Sequence, residues 1–425
     1  MLLLADKTVD IKRITATVIG EMTVIDLNNI EKYRENNRIE AKKATGGLPK
    51  SLWETYSSFA NTLGGIILLG VEEYRDKSLH PVNLPDPDEL IEEFWEIAND
   101  IQKVSTNILS YDDVYVQKIE EKHIIVITVP KAKRFDRPVY LDGSIHNSYR
   151  RNGEGDYRCT LDQINAMVRD SEIKTQDMNI IESMTASVFN TDSLHSYRMK
   201  MSTVKPNNRL QNLSDKDFLQ AIGAIGVGED LLFHPTAAGL LMFGKSEFIK
   251  KEYPYYCLEY KETTQDDKHT IISSDLNSDC ENLYDFFIKV FEKISYDIKL
   301  TANTKSDITP ITTALQEALA NCLINADYYG SNGVVIMKDD ESITISNPGG
   351  FRVELDAARA GGISDPRNTA IMRMFNLIGI GSNDGFGISN IFSVWKSHGL
   401  VLPVIEESFK PENITLKPVS YTHLR

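Results

Sequence analysis

No apolar run in this sequence approaches the eighteen or so residues that a membrane-spanning helix needs, so no membrane partner is expected. The opening MLLLADKTVD has an apolar patch but neither a basic lead nor a small-residue cleavage site, which argues against a signal peptide. Cysteine is scarce. The 4 cysteines, Cys159, Cys257, Cys280 and Cys322, are scattered without CxxC spacing, which excludes a disulfide framework and a cysteine-built zinc site. They fit reduced thiols in a cytoplasmic protein. Internal repeats and low-complexity tracts are also missing. Positive charge is in deficit, with 46 Lys+Arg against 61 Asp+Glu and a formal net charge of -15. Such a surface repels phosphate overall and argues against indiscriminate nucleic-acid binding.

What is present describes an ordinary globular chain. Its 425 residues are 41% hydrophobic and 25% charged, enough for two or three domains with their own cores. Against the acidic background, two segments are locally basic. Residues 31–60 hold six Lys/Arg against four Asp/Glu, and residues 131–158 hold seven against four. A solvated charged face would explain them as well as a phosphate-binding surface does.

Elements alternate along the first third. LPKSLWETYSSFANTL (48–63) has helical spacing and is stopped by Gly64-Gly65, after which IILLGVEE reads as a buried strand. A helix over roughly 86–103 and a strand HIIVITVP (123–130) follow. RPVYLDGSIHNSYRRNG (137–153) reads as a hairpin turning at Asp142-Gly143. This first α/β or α+β domain is expected over 14–170. A polar, mostly helical connector is expected over 171–232. The second half, over 233–417, brings helices near 281–300 and 310–328, then two strands with an acidic turn at Asp339-Asp340. A long glycine-punctuated loop leads to a helix at 387–398, and ITLKP reads as a last strand. Residues 418–425 continue no pattern and are left unassigned.

The helix ALQEALANCLINADYYG (314–330) poses the sharpest question. At about 100° per residue, Glu317, Asn321 and Asn325 lie within an arc of roughly 80°, beside a packed face of Ala318, Leu319, Cys322, Leu323 and Ala326. A carboxylate beside amides suits a divalent ion carrying phosphates: amide oxygen ligates Mg²⁺ without adding negative charge, and the carboxylate can orient or deprotonate water. Taken alone, the row is equally a solvated polar edge. Downstream, SNPGGF (346–351) and GGISDPRNTAIMRMFNLIGIGSNDGFGI (361–388) supply glycines at 361, 362, 379, 381, 385 and 387. Glycines permit the close backbone approach that phosphate-cradling loops require. GFGI before a helix would aim backbone N–H groups at an anion.

EALANCLINADY resembles the N-box of the GHKL ATPase superfamily, which includes gyrase, histidine kinases and the mismatch-repair protein MutL. Residues 310–398 more closely resemble the C-terminal ATPase domain of bacterial ATP-dependent transcriptional regulators. The resemblance implies ATP and Mg²⁺ as cofactors, Glu317 as the water-activating carboxylate and Asn321 as the metal ligand. Alignment on the NA pair would make Asn325 the ligand instead. It also places Asp327, Asn347, Gly349, Arg367, Asn368, Gly385 and Gly387 around the nucleotide. Two departures stand out. The superfamily's adenine-reading Asp is replaced by Asn347-Pro348, and the acidic–basic pair before the last glycine box is replaced by Ser382-Asn383-Asp384. Binding rather than efficient hydrolysis is the expectation.

RIEAKKATGGLPKSLWETYSSFANTLGGIILLGVEE (38–73) resembles the Schlafen-type AlbA domain, a resemblance that extends over about 14–170 and includes YRRNG (149–153). It implies nucleic-acid binding, with Lys42, Lys43, Lys50, Arg150 and Arg151 contacting phosphate of DNA or RNA. The alternative implied by Schlafen-like RNA nucleases is a metal held by Glu35, Glu40 and Glu73. The combined expectation is a cytoplasmic bacterial regulator, with an AlbA-like mixed domain, a helical connector and a GHKL-type α/β sandwich. Mg-ATP would order the 352–386 loop and change domain packing or homodimer formation. The competing expectation is a nucleotide-gated RNA nuclease used in defence.

Overall fold

The computed structural model describes residues 14–18, 21–263, 268–274, 280–301, 305–339, 342–381, 385–409 and 412–418. The readings placed on Ser382-Asn383-Asp384, on Asp340 and on 419–425 lie outside the described residues. The chain is a mixed α/β protein that divides into two compact units, one ending at Ser171 and one beginning at Glu172.

In the first unit β1 (Ile39–Lys42) and β2 (Gly65–Leu69) run parallel, with α1 (Ser51–Ala60) as the crossover that a parallel pair requires. After α2 (Pro87–Ala98), β3 (Val114–Ile119) and β4 (Lys122–Val129) complete a four-stranded sheet of order β1-β2-β4-β3. Period-2 alternation explains the continuous apolar run of β2. Ile67 and Leu69 join a core with Leu52, Tyr56, Phe59 and Phe94. Ile66 and Leu68 join a second core with Leu27, Val71 and Leu79. A sheet covered on both faces needs such strands. The glycine stop is also a close approach: a Cβ on Gly64 would lie 2.7 Å from the Val129 carbonyl oxygen and 2.9 Å from the Lys131 nitrogen. The hairpin at Asp142-Gly143 forms as expected, with φ of 50° and 66° at its two central residues. It leads into β5 (Ser144–Asn152), which pairs with β6 (Gly155–Arg158), and α3 (Leu161–Ser171) closes the unit.

The second unit is built on one six-stranded sheet. Its strands are β7 (Leu258–Thr263), β8 (Lys268–Ser273), β9 (Val334–Lys338), β10 (Ile343–Pro348), β11 (Val404–Phe409) and β12 (Glu412–Lys417), in the order β8-β7-β9-β10-β12-β11. In this sheet β7 and β9 pair in parallel, and the other described neighbours pair antiparallel. The quoted helix belongs to α7 (Lys305–Asn325), which follows α6 (Leu283–Thr301); α4 (Thr191–Val204) and α5 (Ala237–Phe243) come earlier in the chain. Two helices, α8 (Leu355–Ala360) and α9 (Thr369–Leu377), stand inside the segment expected as loop, and α10 (Gly387–Ser397) follows.

The 171–232 segment was expected as a connector, and the structure corrects this. Ile181, Leu194, Tyr197, Met201 and Phe218 share one buried core with Leu319, Ile336 and Phe375. The Tyr197 hydroxyl donates to the Met374 carbonyl at 2.7 Å, and buried Asp177 accepts from the Ile371 N–H at 2.9 Å. Burial raises the carboxyl pKa of Asp177. The polarity that suggested a linker belongs to the solvent faces of α4 and its neighbours.

Candidate functional sites

The polar row on α7 forms one wall of a cavity of about 150 Å³ in the second unit. Strands supply an apolar surface from Ile345, Ile405, Ile414 and Leu416, and the glycine turn contributes Gly385 and Gly387. Glu317, Asn321, Asn325 and Asn347 all line it. α10 approaches the polar row of α7 closely at its first residue. A Cβ on Gly387 would lie 2.6 Å from Asn321 Nδ2 and 2.7 Å from Glu317 Oε1. Gly385, at φ 70°, leaves a Cβ no room because the Ile363 backbone occupies that space. The Gly362 N–H donates to the Gly385 carbonyl at 3.2 Å, so the 361–363 segment is stitched to the turn.

The two amides on the row differ. Asn325 Nδ2 donates to the Asn321 carbonyl one turn back at 3.0 Å, and Asn325 Oδ1 accepts from the Arg367 N–H at 3.3 Å. Among the described residues the Asn321 carboxamide has no such partner.

Asp327, Gly349, Arg367 and Asn368 do not line the cavity. Arg367 is buried, and its guanidinium donates to the carbonyls of Asn325 (2.6 Å) and Gly350 (3.1 Å). Asn368 Nδ2 donates to the carbonyls of Ile324 and Ala326, both at 2.9 Å. Together they satisfy the orphan carbonyls at the C-terminus of α7, where positive charge also complements the helix dipole. Gly349, at φ 94°, leaves no room for a Cβ against Arg367. Asp327 accepts from the Tyr329 N–H in a local turn. These four hold the wall in place from behind. Sequence reasoning passed over Arg352 and Asp365, which line the cavity and pair at 3.5 Å. Only their chain order, a cation after the SNPGG turn and an acid before Pro366, could have suggested them.

In the first unit the expected phosphate contacts separate sharply. Lys43 and Lys50 are exposed, and Lys43 pairs with Glu72 at 3.2 Å. Lys42 pairs with Glu40 at 2.8 Å and is largely buried. Arg150 is buried. The side chain of Arg151 is 0% exposed and bridges Glu40 (2.7 Å) and Asp156 (3.0 Å), while its remaining donors reach the Asn36 carbonyl. The expectation that Arg150 and Arg151 touch phosphate is corrected: both side chains are buried, on opposite faces of β5. Arg151 acts instead as a buried, fully hydrogen-bonded hub.

The same hub decides the alternative acidic site. Glu35 has its pKa raised by burial and by the nearby charges of Glu40 and Glu73, so the three acids do lie near one another. Both oxygens of Glu40 are nevertheless engaged by Lys42 and Arg151. Among the described residues no group of three His, Cys, Asp or Glu is placed to hold a metal ion.

With this geometry in view, three families match. Residues 35–160 match the family "Schlafen, AlbA_2", and residues 330–416 match "Putative ATP-dependent DNA helicase recG C-terminal". An AlbA_2 domain thus precedes a RecG-like C-terminal domain. Between them, residues 165–259 match a domain of unknown function, DUF8451, which spans the segment that builds into the core of the second unit. No curated protein matches the chain. Two solved structures are similar. The DIP2311 protein from Corynebacterium diphtheriae has 14% identity and a TM-score of 0.44, with 90% of this chain and 75% of that chain covered. The N-terminal domain of a RecG-related protein, a putative ATP-dependent DNA helicase from Nitrosomonas europaea, has 30% identity and a TM-score of 0.24. That match covers 32% of this chain and 90% of the other. No helix among the described residues is long and apolar enough to cross a membrane.

Proposed function

We propose that this protein binds Mg-ATP in the RecG-like domain and nucleic acid, DNA or RNA, through the AlbA_2 domain, and that nucleotide occupancy regulates the second activity. One observation carries the nucleotide reading: Glu317 and Asn321 meet Gly387 at the mouth of α10, where backbone N–H groups at a helix start favour an anion. Asn321 is the better Mg²⁺ ligand of the two amides, because the Asn325 carboxamide is engaged at both ends. Mg²⁺ keeps several waters and takes one or two protein oxygens plus phosphate, which this sparse donor set suits. Glu317 would orient water beside the metal.

Regulation as a transcriptional switch is the reading we favour for the pair of domains. Its support is the strap around the cavity, where Arg352 donates to the Pro366 carbonyl at 3.0 Å and pairs with Asp365. A phosphate competing for Arg352 would rearrange that strap, and closure would then act on domain packing or on a homodimer. Nothing in the geometry favours the nuclease reading, since Arg151 already neutralises Glu40.

Calorimetric titration of Mg-ATP into wild type and Asn321→Ala tests the proposal. Saturable binding by wild type, weakened at least tenfold in the variant, is expected. No binding by folded wild-type protein would overturn it.

A further inference from the structure

With Arg150 and Arg151 turned inward, the contact surface of the AlbA_2 domain must lie elsewhere, and the basic segment KAKRFDR (131–137) offers a different chemistry. Its path is fixed at its start. The Ala132 N–H donates to the Ala60 carbonyl at 2.8 Å, and the Gly64 crossing presses on Val129 and Lys131. Arg134 is buried, with Nη1 donating to the Asp170 carbonyl at the end of α3 (2.7 Å) and its guanidinium 3.7 Å from the centroid of the Phe135 ring. Phe135 itself is 56% exposed. One face of the ring is therefore set against an anchored cation while much of the side chain meets solvent. Lys133, two residues away, is exposed and has no ion-pair partner among the described residues.

We propose that Phe135, flanked by Lys131 and Lys133, is a base-stacking platform for single-stranded nucleic acid. The inference rests on the nucleic-acid reading of this domain and specifies the form of the partner. A rigid exposed ring beside cations suits a single strand, whose unpaired bases present π-faces while its phosphates meet the lysines. A duplex keeps its bases stacked on one another and would use only the cations. A hydrophobic protein contact would not need the lysines, and it would leave oligonucleotide binding unchanged by substitution.

The test uses the full chain and fluorescence anisotropy with a labelled oligo-dT, an oligo-U and a mixed-sequence duplex at low salt. Phe135→Ala should weaken single-strand binding roughly 5- to 150-fold, the range for loss of one stacked base, and leave duplex binding within about twofold. Phe135→Trp should retain single-strand binding, and its indole emission should change on titration. Lys133→Gln should lower the salt slope by about 0.7 without abolishing the Trp signal. Being exposed, Phe135 can be replaced without loss of the fold, which circular dichroism checks. Single-strand binding by wild type that is unchanged in Phe135→Ala would overturn the platform and leave the domain's nucleic-acid role standing. Equal losses for single strand and duplex would also overturn it. No binding of any nucleic acid by wild type would remove the domain reading and the platform together.

Discussion

Replacing Gly387 by Ala separates nucleotide binding from folding. The new methyl would sit 2.6 Å from Asn321 Nδ2 and 2.7 Å from Glu317 Oε1, whereas ordinary contact begins at 3.4 Å. Both side-chain ends must therefore retreat by roughly 0.7 to 0.8 Å. They are the tips of flexible side chains beside a cavity, so the fold can absorb the shift. Gly387 is the first residue of α10, outside the helix interior where alanine is preferred over glycine by about 1 kcal/mol, so backbone propensity changes stability little. Little net change in stability follows, and Tm should move by no more than about 4 °C. The polar row, by contrast, loses its placement. A hydrogen bond to a charged group is worth about 1.5 to 3 kcal/mol, so Mg-ATP affinity should fall roughly 10- to 150-fold. Calorimetry and thermal unfolding on one preparation give both numbers. Wild-type affinity in the variant would refute the placement of the phosphates at Gly387. A large loss of stability would refute the claim that these side chains can yield.

Asn368→Ala removes two buried hydrogen bonds from the C-terminus of α7 and should cost about 2 kcal/mol, a fall in Tm of roughly 4 to 8 °C measured without nucleotide. An unchanged Tm would mean that the carbonyls find other donors. Arg151→Ala leaves Glu40 with Lys42 as its one cation and Asp156 with only the Thr55 and Ser58 hydroxyl donors, and urea denaturation should show about 3 kcal/mol of destabilisation. A loss of nucleic-acid affinity with no loss of stability would instead make Arg151 a phosphate contact. Both ring nitrogens of His234 face acceptors, the Met184 carbonyl at 2.7 Å and the Asp230 carboxylate at 3.0 Å, an arrangement that favours the doubly protonated ring. These contacts, the Met184 carbonyl first, raise its pKa above the usual 6.5. The contribution is complete below about pH 6.5 and is lost as pH rises through the elevated value, so wild type should lose stability over that interval and His234→Gln should not. Parallel pH profiles for the two proteins would contradict this assignment.

Local rules determined much of the framework. The stop at Gly64-Gly65, the buried strand after it, the Asp142-Gly143 hairpin and the glycine entry to α10 are each fixed by near-neighbour sterics, and each stands close to where periodicity put it. The alignment of Glu317, Asn321 and Asn325 likewise follows from 3.6 residues per turn. Decisions that depend on distant residues were out of reach. Helices α8 and α9 were hidden by the glycines flanking them, and α9 takes its N-terminal support from Asp177, far away in the chain. A single β-strand contains both Arg150 and Arg151, and sequence shows them as a surface-like basic pair. Asp156 stands directly opposite Arg151 in the β5–β6 hairpin, but only tertiary packing brings Glu40 of β1 to the same guanidinium and turns a phosphate-binding candidate into a buried hub. The same holds for SDPRN. Its Arg367 and Asn368 suggested a ligand, but three-dimensional proximity to the end of α7 made these two caps, because an unsatisfied helix terminus claims the nearest buried donors.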